Sequence, residues 1–111
     1  GMVGLETAAS IAQLVLIDSG RSTWQRVAEV LSHAPARIAG DELQGQEIKV
    51  GSPANLTLID SAAVRQISSQ TTSKSQNNPY AKLELPGAVK HTIFNGYFTV
   101  RDGRLAAKGR D

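Results

Sequence analysis

The sequence predicts an α+β fold, with amino-terminal helices followed by short antiparallel β-strands. Three observations carry this. Residues 5 to about 39 place apolar side chains at helical spacing, and residues from 41 onward break into short β-compatible runs separated by turn residues. Near the end, Asn95-Gly96 sits between two apolar runs, the strongest short-range hairpin signal a sequence offers. The chain therefore divides into a helical segment, 1–40, and a β-rich segment, 41–111.

In the first helical stretch Leu5, Ala8, Ala12, Val15 and Leu16 recur near helical spacing, and Ile11, Leu14 and Ile17 widen that face. So broad an apolar surface predicts a helix covered on more than one side. Gly20 supplies a stop, since glycine tolerates the left-handed conformation that closes many helices. Ser22 and Gln25 fit a capping box that opens a second helix, with Trp24, Val27, Val30 and Leu31 on its inner face. His33 and Ala34 lead to Pro35, which disfavours helix in the residue before it. Ala36 to Ala39 then form one short turn ending at Gly40.

Glu47 to Val50 alternates and predicts a strand, and Gly51-Ser52-Pro53 a turn. Leu56 to Ile59 and Ala63 to Ile67 predict two further strands. Residues 68–79 are polar and predict a long surface loop. Val89 to Phe94 and Tyr97 to Arg101 form the hairpin. A two-residue turn pairs Phe94 with Tyr97, Ile93 with Phe98 and His91 with Val100, and puts Val89, Ile93, Phe98 and Val100 on one buried face. Asp102-Gly103 makes a second turn, leading into a short strand from Arg104 to Ala106.

Composition excludes several functions. The chain has 111 residues, 41% hydrophobic and 20% charged, which fits one globular domain. The net charge is +2, with acids interleaved among the bases, so no basic stripe marks a nucleic-acid site. Cysteine is absent, which removes disulfides and thiolate metal sites and is compatible with a cytoplasmic location. The longest apolar run, Leu14 to Ile17, is too short for a membrane span.

The residues that carry chemistry elsewhere are scattered. His33 and His91 show no ligand spacing; a helix-end role for the first and a place in the sheet for the second outweigh metal binding. Asp41 and Glu42 fall in a loop. Asp60 fits a turn held by its own side chain. Glu6 sits where a carboxylate favours a helix start. The spacing of Gly1 and Gly4 before a helix is a weak anion signal. No residue is assigned a catalytic or metal-ligating role.

Several blocks, in order, resemble the tail of the dihydroorotases, members of the amidohydrolase superfamily. Gly1-Met2-Val3-Gly4-Leu5-Glu6-Thr7 resembles a Pro-Gly-x-x-Gly-Leu-Glu-Thr stretch, and Ala34-Pro35-Ala36-Arg37-Ile38-Ala39-Gly40 an Asn-Pro-Ala-Arg-x-x-Gly block. Gly45 together with Gly51 to Leu56 resembles Gly…Gly-x-x-Ala-Asp-Leu, and Gln76-Asn77-Asn78-Pro79-Tyr80 a Ser-x-Asn-Thr-Pro-Tyr loop. Leu85-Pro86-Gly87 and Thr92 to Gly96 resemble the closing strands. Asn55 and Asn78 depart from the pattern, standing where the family has Asp and Thr; the first substitution is expected to weaken a local turn or salt link.

The resemblance implies that the helices are the last of a (β/α)8 barrel and that the strands belong to a small β-sandwich. It also implies that zinc and its ligands lie on an earlier part of an intact parent, so this chain alone is expected to hold no cofactor and to be inactive. The only substrate contact it implies here is the backbone of Gly1. The implied partner is the remainder of the parent chain, or failing that a second copy meeting the exposed apolar helix face. Allantoinases and hydantoinases share much of this tail, and a non-catalytic interaction or scaffold module is the other alternative.

Overall fold

The computed structural model describes residues 2–69 and 73–106. Helices end at Ala39, strands begin at Leu56, and the four strands form one antiparallel sheet in the order β1-β2-β3-β4. These are β1, Leu56–Gln66; β2, Glu84–Phe94; β3, Tyr97–Arg101; and β4, Arg104–Leu105. The α+β class follows directly from this arrangement. The helices are not a separate body, because the first lies against β2 and hydrogen-bonds to it.

The first helix begins at Ala8, later than its apolar spacing suggests. It comprises α1, Ala8–Ala12, continued by a π-helical stretch, Gln13–Asp18. Leu5 and Glu6 lie in the turn before it, so the carboxylate of Glu6 is not in the first helical turn. Gly20 closes the helix at φ +75°. The face turned to the sheet is the polar one: Ser10 and Gln13 are buried, whereas Leu14 and Val15 are each 44% exposed. The periodicity thus locates an apolar face without identifying what it meets.

The second helix is capped one residue later than predicted. The Thr23 hydroxyl accepts from the Arg26 N–H at 3.2 Å, and Ser22 lies outside the cap. α2, Trp24–Ala28, passes through a π-helical stretch, Glu29–His33, into α3, Ala34–Ala39, with no break at Pro35. Proline lacks the donor for the carbonyl four residues back, and its ring crowds that group. A widened turn just before it accommodates both, a common origin of π-bulges in continuous helices. α3 ends in a Schellman motif: Gly40 adopts φ +71°, and the Asp41 N–H reaches the Ala36 carbonyl at 2.9 Å. Of the predicted inner face only Val27 is buried; Trp24, Val30 and Leu31 are exposed.

Glu47 to Val50 forms no strand, and Ile48 and Val50 are exposed. Two alternating apolar residues cannot hold an extended segment without a partner strand. The two strands predicted around Asp60 are one, β1, with a register irregularity between Asp60 and Val64. The Asp60 carboxylate accepts from the Ala62 N–H at 3.0 Å, as its turn-forming chemistry suggests, but the chain bulges there and continues. Of the loop 68–79, residues 70–72 lie outside the described residues.

The hairpin forms as expected, with Asn95 at φ 48° and Gly96 at φ 83°, the two positive values of a type I′ turn. Phe94 pairs with Tyr97 and Ile93 with Phe98. The next pair is Thr92 with Val100 rather than His91 with Val100. An extra residue, Thr99, is accommodated on β3, and its hydroxyl donates to the Thr92 carbonyl at 3.3 Å. The slip separates the predicted face: Val89 and Val100 turn toward the first helix beside Thr92, and Ile93 and Phe98 go to the opposite side.

The apolar core is small. Among the described residues its buried members are Val3, Val27, Ala36, Ile67 and Leu85. The chain exposes 8124 Å², whereas a compact monomer of 11.8 kDa exposes about 5900 Å². The radius of gyration, 14.6 Å, exceeds the roughly 13 Å of a compact domain this long.

Candidate functional site

The most elaborated polar arrangement lies where the first helix crosses the sheet. β2 carries Pro86 and Gly87 at this point. Proline has no ladder donor, and Gly87 takes φ +80°. Opposite them β1 bulges through Ser61, Ala62 and Ala63, which leaves the Ser61 carbonyl off the ladder. Gln13 repairs the gap. Its amide donates to the Ser61 carbonyl at 2.8 Å, and its side chain is fully enclosed, 2% exposed. A helical side chain thus supplies the hydrogen bond that the sheet has lost.

The other end of the Gln13 amide explains Gly87. Among the described residues its Oε1 has no conventional donor. A Cβ at Gly87 would fall 2.2 Å from that oxygen, so the glycine Cα–H occupying this direction points at it. Such a contact is a weak hydrogen bond, and no other residue fits so close. Ser10, one helical turn before Gln13, donates to the Gly87 carbonyl at 3.3 Å. Arg65 reaches across from β1, where Nη2 donates to the Glu6 carbonyl at 2.6 Å and to the Ser10 hydroxyl at 3.3 Å. Beside this seam lies a cleft of about 470 Å³, flanked by Leu5, Ala9, Ile59, Val89 and Leu105.

Of the residues singled out from the sequence, His33, His91, Asp41 and Asp60 are used locally. Gly1 lies outside the described residues. The His33 ring donates through Nδ1 to the Gly45 carbonyl. Gly45 stands at φ +67°, where a Cβ would meet the Ser32 carbonyl oxygen at 2.5 Å and Ala36 Cβ at 2.6 Å. His33 therefore fastens the loop after the second helix onto that helix. His91 packs edge-on against Phe98, ring centroids 5.4 Å apart, and its Nδ1 accepts from the Asp102 N–H at 3.2 Å. The Arg101 guanidinium lies over the same Phe98 ring at 4.6 Å.

The carboxylates behave similarly. Asp41 accepts from the Leu43 and Gln44 N–H groups at 2.8 and 3.0 Å. Glu29 is bonded by Arg37 one face along the second helix, and that hydrogen bond holds its carboxyl below the ordinary value. Among the described residues no three His, Cys, Asp or Glu side chains come together, so this set does not fit a zinc ion. No helix among them is long and apolar enough to cross a membrane.

The two departures from the family pattern both gain a use. Asn55 donates to the Leu43 carbonyl at 3.1 Å and accepts from the Asn95 N–H at 2.8 Å, so it joins the 41–55 loop to the hairpin turn. An aspartate at this position would provide only the acceptor. Asn78 accepts from the Tyr80 N–H at 3.0 Å and shapes the turn at Pro79.

Sequence reasoning missed Ser10, Gln13 and Arg65. The available signal was two polar residues three apart on an otherwise apolar helix.

No family model matches the sequence. The chain is 44% identical over 106 residues to a dihydroorotase of Streptomyces coelicolor, which covers 95% of this chain and 25% of that protein. It is 38% identical over 108 residues to a dihydroorotase of Mycobacterium tuberculosis, 96% and 25% of the two lengths. Among solved structures it matches an L-hydantoinase (dihydropyrimidinase) from Arthrobacter aurescens with TM-score 0.85 and 26% identity, over 96% of this chain and 24% of the other. A D-hydantoinase (dihydropyrimidinase) from a Thermus species gives 0.83 and 25%, over 98% and 24%. The chain thus spans about a quarter of the length of the proteins it matches.

Proposed function

We propose that this chain, which is a carboxy-terminal part of a dihydroorotase, is the closing helix-and-sheet segment of a cyclic-amide hydrolase whose reacting groups lie on the rest of the protein. The intact protein interconverts dihydroorotate and carbamoyl aspartate in the cytoplasm, as a step of pyrimidine synthesis. The observation that carries this reading is the 44% identity to a protein named dihydroorotase over nearly the whole chain. The zinc implied by the family resemblance is assigned to the remainder, because the described residues do not fit it.

Two roles fall to the chain itself. The first is substrate holding by the backbone of Gly1, in keeping with its resemblance to the family's Pro-Gly stretch. The second is cover: the exposed apolar residues of the helices, Leu14, Val15, Val30 and Leu31 among them, pack against the remainder. An excess of about 2200 Å² over a compact monomer supports this.

A second reading, hydrolysis of hydantoins or dihydropyrimidines, is favoured by the two solved structures. Expressing the whole reading frame and assaying dihydroorotate, hydantoin and dihydrouracil side by side decides between them. Preferential turnover of dihydroorotate is expected; turnover of only the other two overturns the first reading.

A further inference from the structure

Two tight turns of the sheet place a glycine after a side chain able to cyclise onto it: Asn95-Gly96 between β2 and β3, and Asp102-Gly103 between β3 and β4. Both residues of each turn have positive φ, 48° and 83° in the first and 51° and 79° in the second. A turn of this kind is closed by the carbonyl before it and the N–H after it, so its own hairpin uses neither central N–H. Here a neighbouring segment takes all four. The Asn95 N–H donates to Asn55 Oδ1 at 2.8 Å, and the Gly96 N–H to the Ala54 carbonyl at 3.0 Å. The Asp102 N–H donates to His91 Nδ1 at 3.2 Å, and the Gly103 N–H to the Lys90 carbonyl at 2.8 Å. Each turn is thus held by one side chain and one carbonyl from two adjacent residues.

An Asn-Gly pair has a reaction of its own, one reason asparagine counts as thermolabile. The Gly96 nitrogen, on giving up its proton, attacks Asn95 Cγ. A bond forms between them, the bond from Cγ to the side-chain nitrogen breaks, and that nitrogen leaves as ammonia with the proton. Water then opens the cyclic imide at either carbonyl, giving aspartate or isoaspartate, and nothing is oxidised or reduced. Both residues are exposed, and a Cβ at Gly96 would meet nothing within 4 Å, so water and base reach the nitrogen freely. The restraint lies in the bonding of the nucleophile. The proton that must leave is held by the Ala54 carbonyl, and the Asn55 bond one residue earlier keeps the peptide unit from turning toward the side chain.

We infer that Asn95 is a site of intramolecular deamidation, and that Ala54 and Asn55 hold it closed in the folded protein. The reaction proceeds only from the local opening that breaks both bonds. Its isoaspartate product adds a methylene to the backbone inside a two-residue turn, which displaces the pairing of Phe94 with Tyr97.

Incubating the intact protein at mildly alkaline pH, followed by digestion and mass spectrometry of the peptide that holds Asn95, measures the rate. Deamidation at Asn95 is expected to run about thirtyfold slower in the folded protein than in urea, the scale of two net hydrogen bonds. Asn55→Ala removes one of the two acceptors and speeds it about fivefold. Asn55→Asp keeps that acceptor while losing the donor to Leu43, and stays within about twofold of the unsubstituted protein. Isoaspartate at Asp102, whose turn is held by Lys90 and His91 instead, is read from the same digests and is unchanged by either substitution. Equal rates in the folded protein and in urea overturn the inference. So does an Asn55→Ala protein no faster than the unsubstituted one, an Asn55→Asp protein as fast as Asn55→Ala, or an acceleration that appears at Asp102 as well, the mark of general unfolding.

Discussion

Replacing Gly87 with alanine tests the seam between helix and sheet most directly. Two costs add at this position. The first is conformational: Gly87 holds φ +80°, and an alanine in left-handed backbone costs roughly 1–2 kcal/mol. The second is steric. The new methyl would fall 2.2 Å from Gln13 Oε1, and Gln13 is enclosed, so its amide must withdraw from the Ser61 carbonyl. A buried acceptor left without its donor costs about 1–3 kcal/mol. The sum is roughly 2–5 kcal/mol, a large share of the 5–15 kcal/mol that holds an ordinary domain together.

Gly20→Ala isolates the first cost, because Gly20 has φ +75° with nothing within 4 Å of a Cβ. Urea unfolding, followed by far-ultraviolet circular dichroism and by Trp24 fluorescence, gives both values from the midpoints and slopes. A double-mutant cycle then completes the test. With Gln13→Ala in the background there is room for the methyl, and the cost of Gly87→Ala falls to that of Gly20→Ala. If Gly87→Ala and Gly20→Ala cost the same in the unsubstituted chain, Gln13 does not confine Gly87 and the account of the seam is wrong.

The isolated 111-residue chain should self-associate, since a stable interface takes about 800 Å² per partner and the exposed excess is larger. Sedimentation equilibrium should show a mass that rises with concentration, and Leu14→Lys with Leu31→Lys should lower it; a strictly monomeric mass at high concentration counts against the proposal. Glu29 has its carboxyl lowered from 4.5 by the hydrogen bond from Arg37, so its contribution is complete above that pH and is lost as pH falls through the depressed value. Glu29→Gln should therefore melt slightly below the parent at neutral pH and equal to it in stronger acid; a gap that widens with acid contradicts the sign. Asn55→Asp keeps the bond from Asn95 and loses the one to Leu43, which should cost about 1 kcal/mol and expose the 41–50 loop to limited proteolysis. Equal digestion rates would show that Asn55 does not fasten the loop.

What the sequence disclosed was what local chemistry decides. Asn95-Gly96 can form the tight turn on its own, and with it the first two cross-strand pairs. Gly20 and Gly40 stop helices because left-handed backbone is cheap only for glycine. The next pair along the hairpin was lost because a bulge at Thr99 depends on a hydroxyl reaching a carbonyl across the strand. Pro35 misled for a related reason: a lone proline signals a helix end, yet a wider turn before it lets the helix continue. Glu47–Val50 alternates like a strand, but an alternating run needs an adjacent edge. Gly45 and Asn55 hold that region as a loop instead. The candidate seam stayed hidden because Ser10 and Gln13 read as interruptions in an apolar helix, whereas they are its buried contacts.

The inverted first helix bears most directly on what the chain is for. In a self-sufficient domain a helix lying on a sheet turns its apolar stripe inward and its polar residues to water. Here Ser10 and Gln13 go inward, where a proline and a bulge have left the sheet with groups that only polar partners satisfy. Leu14 and Val15 go outward, and on the second helix Val30 and Leu31 do the same. Burying polar residues is tolerable because each is bonded, and exposing apolar ones is tolerable only where something else covers them. The helix thus serves the sheet with its polar side, and on the reading proposed above its apolar side meets the remainder of the protein. On that same reading the first helix is a middle layer between the sheet and the remainder, and the chain spans about a quarter of the length of the proteins it matches.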